Sequence, residues 1–143
     1  MRRIITTMLA ATALISVATS AAQSGANETD LLGTAWLAED IDGRGVIDRA
    51  RSTMEFAKSG QVSGLAACNH YFGPVSLNAG AITFGNLAST RKMCPESLMD
   101  QEQRFMEALS KAKRLELTHE GQILLMYPDG TKPTLRFSKI AKK

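Results

Sequence analysis

The apolar residues of this chain recur at two spacings, and the helical one is confined to a single stretch. Elsewhere they alternate with polar residues or form short runs between turn signals, which is the period-two pattern of strands. Between Pro95 and Lys113 the period changes: Leu98, Phe105, Leu109 and Ala112 fall on one helical stripe, joined by Met106. Asp100 with Arg104 and Glu107 with Lys111 form i,i+4 pairs of the better orientation, Pro95 suits a first helical turn, and Ser97 with Asp100 offers an alternative capping pair one turn along. A chain with one such stripe buries it against a sheet, because no second helix is there to receive it. The fold class predicted is α+β, mainly β: a small antiparallel, partly open, barrel-like sheet with one amphipathic helix packed against it.

Strand candidates lie on both sides of the helix. Thr34–Ala38 leads into the turn sequence Asp42-Gly43-Arg44-Gly45. Thr53–Phe56 alternates, with Met54 and Phe56 on one face, and Lys58-Ser59-Gly60 turns it into Gln61–Leu65. Val75–Leu77 and Ala81–Phe84 flank Asn78-Ala79-Gly80, a hairpin signal. Leu115–Leu117, Ile123–Met126 and Thr134–Phe137 follow the helix, separated by Glu120-Gly121 and Pro128-Asp129-Gly130.

The first residues have the pattern of a cleaved export signal. Arg2 and Arg3 precede a mostly apolar run from Ile4 to Val17, and small residues Ser20 and Ala22 stand three and one before a cut after Ala22. The run is shorter than the roughly 20 apolar residues a membrane span needs. With no cysteine near the cut, a lipid anchor is not expected. The expected organisation is a signal peptide over residues 1–22, a flexible lead-in over 23–30, one domain over 31–138 and a basic tail over 139–143, the product being soluble and periplasmic or secreted.

Charge is read on the chain without its leader. The whole chain carries a formal +3; Arg2 and Arg3 leave with the leader, so the remainder is near +1. That balance is no nucleic-acid footprint. Residues 23–90 hold seven acids against four bases, and residues 91–143 seven acids against eleven, so a basic bias lies toward the C-terminus. It reads as a solvated face with, at most, weak attraction to an anionic envelope surface.

Trp36 in the first strand, Ala67-Cys68-Asn69-His70-Tyr71-Phe72-Gly73, Leu87-Ala88-Ser89-Thr90-Arg91-Lys92-Met93-Cys94, and Gln101-Glu102-Gln103-Arg104-Phe105 in the helix together resemble the META domain, the family of HslJ-like bacterial heat-shock proteins. The resemblance runs from about Leu31 to Phe137. It implies a small, partly open antiparallel barrel with one helix against it, and a link to envelope stress or tolerance of toxic compounds. Trp36, Asn69, Gly73, Thr90 and Glu102 are the motif positions it marks, and it implies no catalytic set. This chain departs in lacking the lipidated cysteine that many members carry, and in having Ala67 where the motif commonly has Gly before its first Cys.

Cys68 and Cys94 are the only cysteines. In an exported chain they favour a disulfide, with Asn69 as a turn residue and Gly64 and Gly73 relieving crowding at the ends of the motif. The alternative is a Cys2His2 metal site of Cys68, His70, Cys94 and His119, whose residue types fit although the spacing is not that of a common zinc motif. A Cys–His nucleophile needs a reduced, low-pKa thiolate, which such a compartment disfavours.

Ser89-Thr90-Arg91-Lys92 matches S-x-x-K, but the S-D-N and K-T-G companions are missing. Metalloprotease, phosphate-loop and calcium-loop motifs are absent too. The neighbours Glu39 and Asp40 would point to opposite faces of a strand. The reading is of a non-enzymatic protein without cofactor that binds an envelope protein or a small apolar ligand. The alternative is a hydrolase inhibitor presenting His70-Tyr71-Phe72-Gly73 as a rigid loop, and metal binding is the third.

Overall fold

A computed structural model describes residues 28–141; the expected signal peptide and the first part of the expected lead-in lie outside them. The end of that lead-in is not loose. Glu28–Leu31 form a one-turn helix, α1, held by the fully buried side chain of Leu31. Nine strands follow: β1 (Ala35–Ile41), β2 (Thr53–Phe56), β3 (Gln61–Leu65), β4 (His70–Asn78), β5 (Ala81–Phe84), β6 (Ala88–Ser89), then after helix α2 (Glu96–Lys111) β7 (Arg114–Thr118), β8 (Ile123–Tyr127) and β9 (Leu135–Ile140).

Eight of these close into an antiparallel ring of order β3-β2-β1-β9-β8-β7-β5-β4, with β4 returning to β3. The barrel expected to be partly open is therefore closed, because Gln61↔Pro74 through Leu65↔His70 zip its two ends together. Its thinnest seam lies between β5 and β7. There a single residue pair, Ala81↔Arg114, is backed by Ile82 N–H to Lys113 C=O and Leu115 N–H to Gly80 C=O. Short β6 adds to β4 outside the ring.

Period-two alternation sends Trp36, Met54, Phe56, Val62, Tyr71, Leu115, Leu124, Met126, Leu135 and Phe137 into the core, each at most 2% exposed. In β1 the parity changes midway. Ala38 faces Phe137 and Asp40 faces Arg136, so Glu39 is a bulge, and Ile41 rather than Asp40 turns inward. β9 continues through Lys139 and Ile140, opposite Trp36 and Ala35, two residues into the stretch expected to be tail.

Helix α2 contacts β1 and β9 on one side of the ring and β5 across it. A helix lying on the outer wall would touch neighbouring strands only, so α2 covers an end of the barrel. Phe105 is the plug: its ring meets Tyr71 edge-on at 5.7 Å and Phe137 at 6.1 Å. Leu109 and Ala112 are buried beside it, as the stripe predicts, and Ala108 joins them, while Leu98 and Met106 are half-buried. The expected i,i+4 pairs form, Arg104 to Asp100 at 3.1 Å and Lys111 to Glu107 at 2.5 Å. The alternative capping pair of Ser97 and Asp100 does not. Pro95 is the N-cap residue, no side chain caps the helix, and its carbonyl accepts from Leu98 N–H at 2.9 Å. Among the described residues no helix is long and apolar enough to cross a membrane.

Candidate functional site

Cys68 and Cys94 form a disulfide across 26 residues, with Cα atoms 6.1 Å apart. It ties the β3–β4 connection to the segment that enters α2. Beside it Asn69, 2% exposed, joins three parts of the chain. Its Oδ1 accepts from Thr90 Oγ1 at 2.8 Å and from Lys92 N–H at 2.7 Å, and its Nδ2 donates to Lys92 C=O at 3.3 Å and to Glu102 Oε1 at 2.9 Å. Its backbone N–H donates to Glu102 Oε2 at 2.7 Å. Asn69 does satisfy backbone groups, as expected of a turn residue, but those of Lys92 rather than of its own turn. Thr90 adds a second bond by accepting from His70 N–H at 3.2 Å.

Three of the five motif positions therefore converge: Asn69, Thr90 and Glu102. The other two act elsewhere. Trp36 is fully buried and donates its indole N–H to Thr34 Oγ1 at 2.7 Å. Gly73 lies where the chain crosses β4 after β5; a Cβ there would stand 2.8 Å from the Asn86 carbonyl oxygen and from Leu87 Cδ2. Gly64 answers a similar constraint, since its Cβ would collide with the Thr53 carbonyl. Tyr71 packs against that position and donates its hydroxyl to Thr53 C=O at 2.9 Å. Burial pushes its phenol far above the usual tyrosine range.

The metal set does not assemble. Both sulfurs are bonded to each other, and His119 stands in the β7–β8 turn, where its Nδ1 lies 3.2 Å from Thr118 Oγ1. Among the described residues no three His, Cys, Asp or Glu side chains are grouped to hold an ion. The rigid loop expected at His70-Tyr71-Phe72-Gly73 is the first half of β4, with Tyr71 buried. Asp40 is committed to the β1–β2 loop, its two oxygens accepting from Gly43 N–H at 2.7 Å and Gly45 N–H at 2.8 Å.

Two features escaped sequence reasoning. Gln101 is fully buried: Oε1 accepts from Ile47 N–H at 2.7 Å, and Nε2 donates to Ala50 C=O at 2.9 Å and to Ser52 Oγ at 3.1 Å. Its place on the stripe, four residues before Phe105, was the available signal. The second is a concavity of about 660 Å³ on the outer wall over β1, β2, β3 and β4, lined by Arg51, Glu55, Leu65, His70, Phe72 and Ile140 among others. No sequence signal joins these residues, because register across four strands brings them together.

Known proteins place this geometry. An NMR structure of a protein from Burkholderia xenovorans is similar at 27% identity and a TM-score of 0.66, over 78% of this chain and 85% of that one. A second NMR structure is similar at 26% identity and a TM-score of 0.62, over 77% and 92%. Among curated proteins none matches. The META domain matches residues 29–141, which takes in every strand of the ring, the disulfide and the Asn69 cluster, and the chain belongs to the META domain family.

Proposed function

We propose that this chain is an exported, non-enzymatic META-domain protein, periplasmic or secreted, that contributes to envelope stress response or tolerance of toxic compounds by binding. The observation that carries the reading is how the polar groups of the motif are spent. Both sulfurs form the disulfide, both ends of the Asn69 amide and both oxygens of Glu102 are hydrogen-bonded, and the Thr90 hydroxyl donates as well as accepts. Groups so engaged hold a scaffold; a nucleophile or general base needs a reactive atom directed at a substrate. A disulfide in a chain of this size also suits an oxidising compartment. What the scaffold leaves for function is surface, and the proposal assigns the binding role to the outer concavity over β1, β2, β3 and β4.

The test is deletion of the gene, followed by growth in apolar antibiotics and detergents. Tolerance should fall, and should return with the full chain but not with a chain starting at Gln23. Unchanged tolerance, or full rescue by the chain without its first 22 residues, would remove the reading.

A further inference from the structure

Between β6 and α2 the chain runs through Thr90-Arg91-Lys92-Met93-Cys94-Pro95 without a turn or bend, and Thr90 to Met93 are all exposed. None of these residues has a positive φ. Three clamps hold the segment. Thr90 N–H donates to His70 C=O at 3.0 Å, and its hydroxyl donates to Asn69 Oδ1 at 2.8 Å. The Asn69 amide grips Lys92 by both backbone groups, accepting from its N–H at 2.7 Å and donating to its C=O at 3.3 Å. Cys94 is bonded to Cys68, and Pro95 is the N-cap residue of α2.

Extended backbone turns the N–H and C=O of successive residues to alternate edges. Thr90 and Lys92 face β4 and Asn69, so Arg91 and Met93 present their backbone groups on the outer edge. Among the described residues neither Arg91 nor Met93 makes a hydrogen bond. Met93 is 91% exposed, whereas Met54 and Met126 are fully buried. With Lys92 and Cys94 both fixed, the backbone cannot carry that side chain inward. The result is a free strand edge with one large apolar side chain held in water.

We infer that this segment is an inhibitory strand for serine proteases with an apolar primary pocket. Such enzymes take a peptide as an added strand, main chain to main chain, with one side chain in the pocket. Met93 fills the pocket, Arg91 pairs through its backbone with the enzyme, and the Met93–Cys94 peptide bond lies across the catalytic serine. Lys92 cannot take the pocket role, because its carbonyl is turned to Asn69 and away from the oxyanion donors. Pro95 and α2 lead the chain away at once, so the contact is concentrated on Arg91 to Met93. A segment already extended and clamped loses little freedom on binding. This surface is separate from the outer concavity, which none of residues 90–95 lines.

The experiment uses the oxidised protein against chymotrypsin, subtilisin and trypsin, with chromogenic peptide substrates. Chymotrypsin or subtilisin should be inhibited competitively and trypsin should not. Met93→Asp should weaken inhibition at least about a hundredfold, because an unpaired carboxylate resists desolvation in an apolar pocket. Met93→Lys should transfer inhibition to trypsin, whose pocket is acidic. Phe72→Ala, on the concavity, should change nothing. Both side chains are exposed, so each variant should melt with the wild type. No inhibition of either apolar-pocket enzyme at about 50 µM protein, undiminished inhibition by Met93→Asp, or steady cleavage at Met93–Cys94 without inhibition would overturn the inference. Inhibition lost in Phe72→Ala would overturn it as well. None of these outcomes depends on growth, so the inference and the envelope role stand or fall separately.

Discussion

Replacing Ala67 by glycine should stabilise this protein. Ala67 and Cys68 connect β3 to β4, with Ala66 N–H donating to Asn69 C=O at 2.8 Å. Ala67 holds φ at +75°, whereas Cys68 is not among the residues of positive φ. A positive φ at the first of two connecting residues is the place where hairpin turns put glycine. For an L-residue that conformation costs about 1–2 kcal/mol. Glycine removes the cost but adds freedom to the unfolded chain, which takes back about 0.4–1 kcal/mol. The net gain is about 0.5–1 kcal/mol, or roughly 2–5 °C in Tm for a domain of this size. Urea and thermal unfolding of the disulfide-intact proteins measure it. Ala67→Val should move the other way, because a β-branched side chain is worse still at positive φ. Ala79, at φ +46° in the β4–β5 hairpin and far from the disulfide, supplies an independent case in which Ala79→Asn should also stabilise. An Ala67→Gly protein that is no more stable than wild type would show that the bridge and the Asn69 cluster, rather than turn strain, set the energy there.

Reducing the disulfide, or Cys68→Ala with Cys94→Ala, should cost about 3.5 kcal/mol by the chain-entropy relation for a loop of this length; the loss is read as a fall in urea midpoint, and a midpoint unmoved by reductant would contradict it. Asn69→Ala leaves Thr90, Lys92 and Glu102 short of partners near the core and should cost about 3 kcal/mol, with near-UV dichroism showing whether the fold survives. The Tyr71 phenol is raised far above its usual range by burial and Tyr127 is raised by partial burial and by Glu116, so alkaline titration of tyrosine absorbance should show Tyr71 silent until the chain unfolds. The sign follows from proton counting: above the unfolded pKa of about 10 the unfolded chain releases protons that the folded one keeps, so stability is full below that pH and falls as pH rises.

The helix and the strand segments were legible because burial imposes a period on neighbouring residues. Phe105, Leu109 and Ala112 announced their face, and Met54 with Phe56 announced theirs. Periodicity reports which face is buried and says nothing of what covers it. That is why ring closure is not legible: it needs β3 to return to β4 and the thin β5–β7 seam to hold, the latter on one residue pair and two further backbone bonds, and no residue pattern marks either contact. The first half of β4 was hidden by the density of polar and aromatic residues from Asn69 to Phe72, which resembles a loop. Asn69 and Glu102 were marked by family resemblance, yet their bond spans 33 residues and no local spacing predicts it. The Glu39 bulge inverted the parity of β1 beyond Ala38, so simple alternation would have sent Asp40 into the core.

The seam between β1 and β9 has a consequence for how the molecule comes into being. The first strand of the ring pairs along Ala35–Ile41 with the last, Leu135–Ile140. A chain leaving the ribosome therefore carries β1 with one edge satisfied by β2 and the other open until β9, about a hundred residues later, has been made. Such distant pairing makes folding slow compared with that of helical proteins. It also means that synthesis cut short before Leu135 yields no smaller version of the barrel. The emerging chain stays an open sheet with bare backbone edges, the form most exposed to aggregation and proteolysis.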